Sequence, residues 1–172
     1  MEKEKISIST HAGEMIAALK KCAYLTAKAD GRENTMAIGW GTVGVLWGRE
    51  VFICYVRKSR FTRELLDRNP EFTVNMPVGE VDRKIFTVCG MQSGRDVDKT
   101  AEAGLTLVPG EKVSVPAIAE MPMTLECKVL YRREQDVGLL PPEMREKIYP
   151  GEDPDSHVTY VGEILDAYII RK

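Results

Sequence analysis

Arg57, Lys58, Arg60 and Arg63 place four cations within seven positions, interleaved with the hydroxyls of Ser59 and Thr62. The residues before them, 51–56, are mostly β-branched and aromatic and read as a strand. Residues 60–68 read as a short helix, with Ser59 as its N-cap and Asn69-Pro70 as its stop. A helix N-terminus carries partial positive charge and unpaired N–H groups, so each cation there is disfavoured by roughly 0.3–1 kcal/mol. An anion seated at the turn reverses the sign of those terms, and arginine grips phosphate through two parallel hydrogen bonds. The plain alternative is a capping serine beside solvated arginines. Hydroxyls, guanidiniums and a strand-to-helix turn together favour a phosphate site.

Gly39-Trp40-Gly41-Thr42-Val43-Gly44 spells GxGxxG, the dinucleotide-binding fingerprint. That chemistry needs a helix opening at the third glycine to meet the pyrophosphate. The next strand starts at Val51, leaving no room for one, so these glycines read as a flexible or tightly packed strand end. Metal chemistry has little to work with: the histidines are His11 and His157, and the four cysteines, Cys22, Cys54, Cys89 and Cys127, form no CxxC pair. Scattered thiols without a framework suit a reducing cytoplasm.

The elements that must position this turn are mostly strands. Apolar residues at 12, 15, 16 and 19 share a helical face. Residues 22–28 and 35–41 read as strands around Asp30-Gly31, a favoured turn pair. Residues 72–76, 123–132 and 157–170 continue the strand character, the last bent near Gly162. A helix over 97–103 starts at Asp96 and stops at Gly104. Residues 140–155, rich in proline, form an excursion around a short helix. The expected fold is mainly β: one domain over 1–172, a closed or partly closed antiparallel barrel with peripheral helices.

With 172 residues, 44% hydrophobic and 29% charged, the chain suits one globular domain. A net charge of -2 argues against a nucleic-acid partner, which needs a basic field. Residues 1–9 lack the apolar core of a secretory signal, and the longest nearly apolar stretch, 36–48, falls short of the roughly 20 residues a membrane helix needs. The expectation is a cytoplasmic protein without membrane contact.

Five segments in order resemble the flavin reductase-like FMN-binding split barrels, nearest the flavoredoxin-like branch. They are Asn34–Gly41, Tyr55–Thr62, Glu71–Asn75, Cys89–Lys99 and the strand Val161-Gly162-Glu163-Ile164, together spanning about residues 22–170. The resemblance implies a six-stranded antiparallel, Greek-key-like barrel and a homodimer with FMN near the subunit interface; since the flavin would carry the redox chemistry, no protein catalytic residue is assigned. It implies that Asn34, Thr35, Met36 and Ala37 line the isoalloxazine, with Trp40 near the ring. Ser59, Arg60, Phe61 and Thr62, beside Arg57, hold the phosphate; Cys89, Ser93, Gly94 and Lys99 come from the loop and helix over the flavin. Asn34 could instead complete the Asp30-Gly31 turn. Cys89 reads as a packing thiol, Trp47, Asp98 and Glu163 as structural. His157 either approaches the flavin or caps a surface strand. Two activities follow from the resemblance: NAD(P)H-dependent flavin reduction, or electron exchange with a protein partner. A binding module for another phosphorylated ligand is the reading outside redox chemistry.

Overall fold

The computed structural model describes residues 1–171. In chain order it runs β1 (Glu2–Lys5), α1 (Ile8–Lys21), β2 (Ala23–Ala29), β3 (Arg32–Ile38), β4 (Gly41–Leu46), β5 (Arg49–Arg57), α2 (Phe61–Arg68) and β6 (Glu71–Met76). It continues with α3 (Arg83–Phe86), a π-helical turn (Thr87–Met91), α4 (Lys99–Ala103), β7 (Leu107–Val108), β8 (Ala117–Ile118), β9 (Met123–Glu134), a 3-10 turn (Val137–Leu139), α5 (Pro142–Ile148) and β10 (His157–Arg171).

The fold is mainly β with helices at the periphery, as expected. The pairing differs from the expected six-stranded barrel, closed or partly closed, in strand number and in not closing. The main sheet has eight strands in the order β3-β2-β6-β9-β10-β5-β4, with β1 paired to β10, while β7 and β8 form a small separate sheet. Pairing does not close, because the chain crosses from β3 to β4 through Gly39 and Trp40 and leaves those two strands as edges. The resulting split borders a cleft lined by residues 36–40.

Two hairpins explain how the sequence makes these edges. Asp30 and Gly31 have φ of 51° and 76°, the left-handed pair a two-residue hairpin requires. Trp47 and Gly48 do the same between β4 and β5, with φ of 53° and 71°. Tryptophan rarely adopts that conformation, so this hairpin and β4 carry no ordinary sequence signal. Trp47 lies exposed against the edge of Tyr131, at 6.2 Å between ring centroids. The would-be dinucleotide loop is therefore strand: Gly41 opens β4, and a Cβ there would come within 2.6 Å of Phe52 Cζ.

In the largest core cluster Met15 and Leu19 of α1 join Leu25, Phe52, Phe72, Val74, Leu125 and Tyr160 from the sheet. Across β2, β3 and β6 a buried polar chain sets register. Thr35 and Thr26 hydroxyls meet at 2.9 Å, Asn75 Nδ2 donates to Thr26 at 3.2 Å, and Asn75 Oδ1 accepts from the Ile118 amide at 3.0 Å. Asn75 thus anchors the fold beneath the site. On β10, Gly162 stands where the pairing with β9 shifts register, and a Cβ there would lie 2.5 Å from Phe72 Cζ. Overpacking of this kind costs about 1–3 kcal/mol. Gly162→Ala is expected to lose that much stability in urea denaturation; an unchanged midpoint would show that Phe72 gives way freely.

Candidate functional site

The strand-to-helix turn begins where β5 ends at Arg57. Arg60 N donates to Arg57 O at 3.0 Å, so the chain is already turning at Arg60, which becomes the N-cap of α2. This corrects Ser59 as cap. Its amide and hydroxyl instead donate to the Asp155 carboxylate at 3.0 and 2.6 Å, and Arg57 Nη1 donates to Asp155 O at 2.7 Å. The excursion before β10 is thereby strapped to the turn. α2 ends as expected, with Asn69 as C-cap. The cap of α4 also shifts: Asp98 Oδ1, not Asp96, accepts from Ala101 N at 3.1 Å, while Gly104 takes the left-handed conformation expected of it.

Two adjoining clefts meet at Met36 and Arg60. The first, of about 130 Å³, is lined by Asn34, Ser59, Phe61, Thr62, Gln92, Ser93, Gly94, Arg95 and Lys99 besides the shared pair. The second, of about 210 Å³, is lined by Ala37, Ile38, Gly39, Trp40, Tyr55, Arg57 and His157 besides that pair. Of the residues expected at a flavin, only Thr35 and Cys89 line neither. Both nonetheless reach the site through their carbonyls, which accept from Lys99 Nζ at 3.1 and 3.0 Å.

Asn34 does not finish the hairpin turn. Its Nδ2 donates to Thr62 Oγ1 at 2.7 Å, tying β3 to α2, and a Cβ on Gly94 would lie 2.6 Å from its Cγ. Only glycine lets the 92–98 loop close this near. The Asn34 bond fills an acceptor position of Thr62, leaving that hydroxyl's proton to donate into the cleft. The loop is held over α2 by Arg95, which donates to Ser59 O at 3.0 Å and pairs with Glu64 at 2.5 Å, and by Arg32, which donates to Gly94 O at 3.1 Å. The Arg32 and Arg95 guanidiniums lie on the Phe61 ring, at 4.8 and 5.6 Å respectively from its centroid.

Among the described residues, Arg57, Arg60 and Lys99 have no carboxylate partner, and the Arg60 guanidinium has no hydrogen-bond partner at all. Burial pulls the Lys99 pKa below its ordinary value; Arg60 pushes the same way and Cys89 opposes. Burial drives the Cys89 thiol up to about 11, so it stays protonated and serves packing.

His157 was left open by the sequence, and Tyr149 and Asp155 gave no signal, because their meeting depends on long-range pairing. His157 lines the second cleft, with Trp40 at 4.9 Å and Tyr149 Oη at 2.7 Å from its Nδ1. Burial, with Arg57 and Arg60 adding to it and Asp155 opposing, lowers its pKa to about 4, so the ring is neutral at neutral pH. The folded pKa lies below the unfolded one, so stability holds above pH ~6.5 and falls as pH drops through that value towards the folded pKa. Wild type is expected to lose roughly 2–3 kcal/mol more than His157→Gln between pH 7 and 4, read from urea midpoints. Parallel curves would show an ordinary, exposed imidazole.

No helix among the described residues is long and apolar enough to cross a membrane. The family model for flavin reductase-like domains matches residues 20–172. An uncharacterised protein of Pyrococcus abyssi is 30% identical over 150 residues, covering 87% of this chain and 73% of that protein. Flavoredoxin from Methanosarcina acetivorans is 28% identical with a TM-score of 0.66, over 87% of this chain and 68% of that one. Flavoredoxin from Desulfovibrio vulgaris (Miyazaki F) is 25% identical with a TM-score of 0.67, over 87% and 69%. The resemblance read from the five motifs is confirmed.

Proposed function

Since the chain belongs to the flavin reductase-like family, we propose that it binds FMN without a covalent link and moves electrons through it. The observation carrying this is the convergence of three cations without carboxylate partners, Arg57, Arg60 and Lys99, on adjoining clefts. Such an arrangement suits a phosphorylated ligand with a second electron-rich centre. The residues fit FMN in other ways too. Gly94 keeps the loop close to Asn34, and Gln92 Oε1 is shielded from solvent without a hydrogen-bond partner in the protein.

When bound, FMN supplies the redox chemistry, accepting a hydride or electrons and passing them on. The protein binds, orients and tunes it. Arg60, the Phe61 and Thr62 amides and the Thr62 hydroxyl hold the phosphate, with Arg57 adding charge from the strand side. Met36 and Ala37 supply the floor, Trp40 a wall. Lys99 favours negative charge on the reduced ring. No side chain acts as a nucleophile, and the neutral His157 is a hydrogen-bonding wall of the second cleft.

Two electron sources remain in play. NAD(P)H would make the protein a flavin reductase-like enzyme. A redox protein partner would make it a carrier, and the likeness to two flavoredoxins favours this reading. An ultraviolet-visible spectrum of the purified protein, with the released chromophore identified, tests FMN itself. A colourless protein that ignores added FMN would refute the reading. Stopped-flow mixing then separates the two activities. Rapid bleaching by NADH or NADPH marks the reductase; no bleaching over many minutes, with rapid reduction by a ferredoxin-like protein, marks the carrier. We place the protein in the cytoplasm as a homodimer. Exposed Val45, Trp47 and Tyr131 around the β4–β5 hairpin offer apolar surface for the second copy, and a monomeric mass by light scattering would refute that.

A further inference from the structure

We propose that Gln92 recognises the ring of the cofactor, its Oε1 accepting a hydrogen bond from the flavin N3–H. The inference rests on the FMN reading and adds a residue to it that the motifs did not single out. Gln92 follows the π-helical turn, its amide donating to Val88 O at 3.3 Å, and its side chain lines the cleft with Arg60, Thr62 and Lys99. Nε2 donates to Glu102 Oε1 at 2.9 Å. Oε1 is the one shielded side-chain nitrogen or oxygen among the described residues that lacks a hydrogen-bond partner.

The orientation of a primary amide is settled by its partners. Glu102 offers only acceptor oxygens, so it selects the Nε2 end; turning the amide over would set two oxygens against each other. Glu102 thus leaves Gln92 with an unpaired acceptor, not an unpaired donor. A desolvated acceptor without a donor is unfavourable; Arg60 and the Thr62 hydroxyl are taken by the phosphate in the bound state proposed above, and the other nearby cations are engaged within the protein. Arg95 bonds Ser59 O and Glu64, and Lys99 bonds Thr35 O and Cys89 O. A ligand must therefore bring the proton. Phosphate has none to give at neutral pH. The oxidised isoalloxazine has a single N–H, at N3, flanked by two carbonyl oxygens. Lys99 and Gln92, a donor and an acceptor in one cleft, complement such an edge. The ribityl hydroxyls are the other donors on FMN, and a ring-modified flavin separates them.

The test titrates wild type and Gln92→Ala with FMN and with 3-methyl-FMN, which keeps the phosphate and ribityl chain but has no N3–H, following quenching of flavin fluorescence. Wild type is expected to bind FMN roughly tenfold or more tightly than the methylated flavin. Gln92→Ala is expected to lose about that factor for FMN and to bind both flavins alike. Equal binding of the two by wild type would assign the acceptor to a ribityl hydroxyl and overturn the proposal. So would full discrimination in Gln92→Ala, since the methyl group would then be excluded by shape alone. Failure of both flavins to bind would bring down the FMN reading itself, an outcome distinct from either.

Discussion

Arg60→Ala is expected to weaken FMN binding by about ten- to hundredfold while changing riboflavin binding by less than about threefold. Arg60 caps α2 and lines both clefts, and its guanidinium has no ionic or hydrogen-bond partner among the described residues. A cation at that position opposes the helix dipole until an anion arrives, so its favourable interactions are all deferred to the bound state. A hydrogen bond to a charged group is worth about 1.5–3 kcal/mol, which sets the expected loss. Riboflavin lacks the phosphate and so lacks the partner. The unliganded fold should hold its stability to within about 0.5 kcal/mol, since an exposed side chain without contacts is removed. Fluorescence titration of both flavins at two salt concentrations checks this, and FMN affinity should depend less on salt in the variant. Equal losses for the two flavins would take Arg60 away from the phosphate.

Much of this geometry was legible because it is local. Residues 51–56 declare a strand by their β-branched run, Asp30-Gly31 declares a hairpin, and the cations beside Ser59 and Thr62 point to the proposed anion site by their conflict with a helix start. The GxGxxG run was rightly set aside, and the structure shows why: Gly41 is kept small by Phe52 beneath it. What escaped was either unusual locally or distant in sequence. β1 is charged and mostly exposed, so its pairing with β10 follows from the partner strand and not from its own pattern. β4 depends on a tryptophan with positive φ. The capping role given to Ser59 failed because a carboxylate 96 positions away competes for its hydroxyl. Tyr149, Asp155 and His157 join the site only once β10 has paired with β5, a long-range event no window of sequence contains.

Lys99→Met is expected to raise or preserve the stability of the unliganded protein and to lower the midpoint potential of the bound flavin. Lys99 is only 5% exposed, and its ammonium is held by two carbonyls instead of a carboxylate. Burying a cation that way is costly, and replacing buried charge with an apolar side chain of similar length is often neutral or stabilising by about 1–4 kcal/mol. Because its folded pKa is depressed, the unfolded chain holds that proton more firmly through the window below the ordinary lysine value. Stability of the unliganded wild type should therefore climb as pH rises through this window, and that rise should vanish in the variant. The same cation favours a reduced, more negative ring. One unit charge at contact range and an effective dielectric near 20 is worth ~3 kcal/mol. At ~30 mV per ~1.4 kcal/mol for a two-electron couple, the potential should fall by roughly 50–70 mV. Urea denaturation from neutral to alkaline pH, together with a dye-linked redox titration, reads both effects. A destabilised variant with an unchanged potential would make Lys99 a structural brace between β3 and the π-helical turn and remove it from the tuning of the flavin.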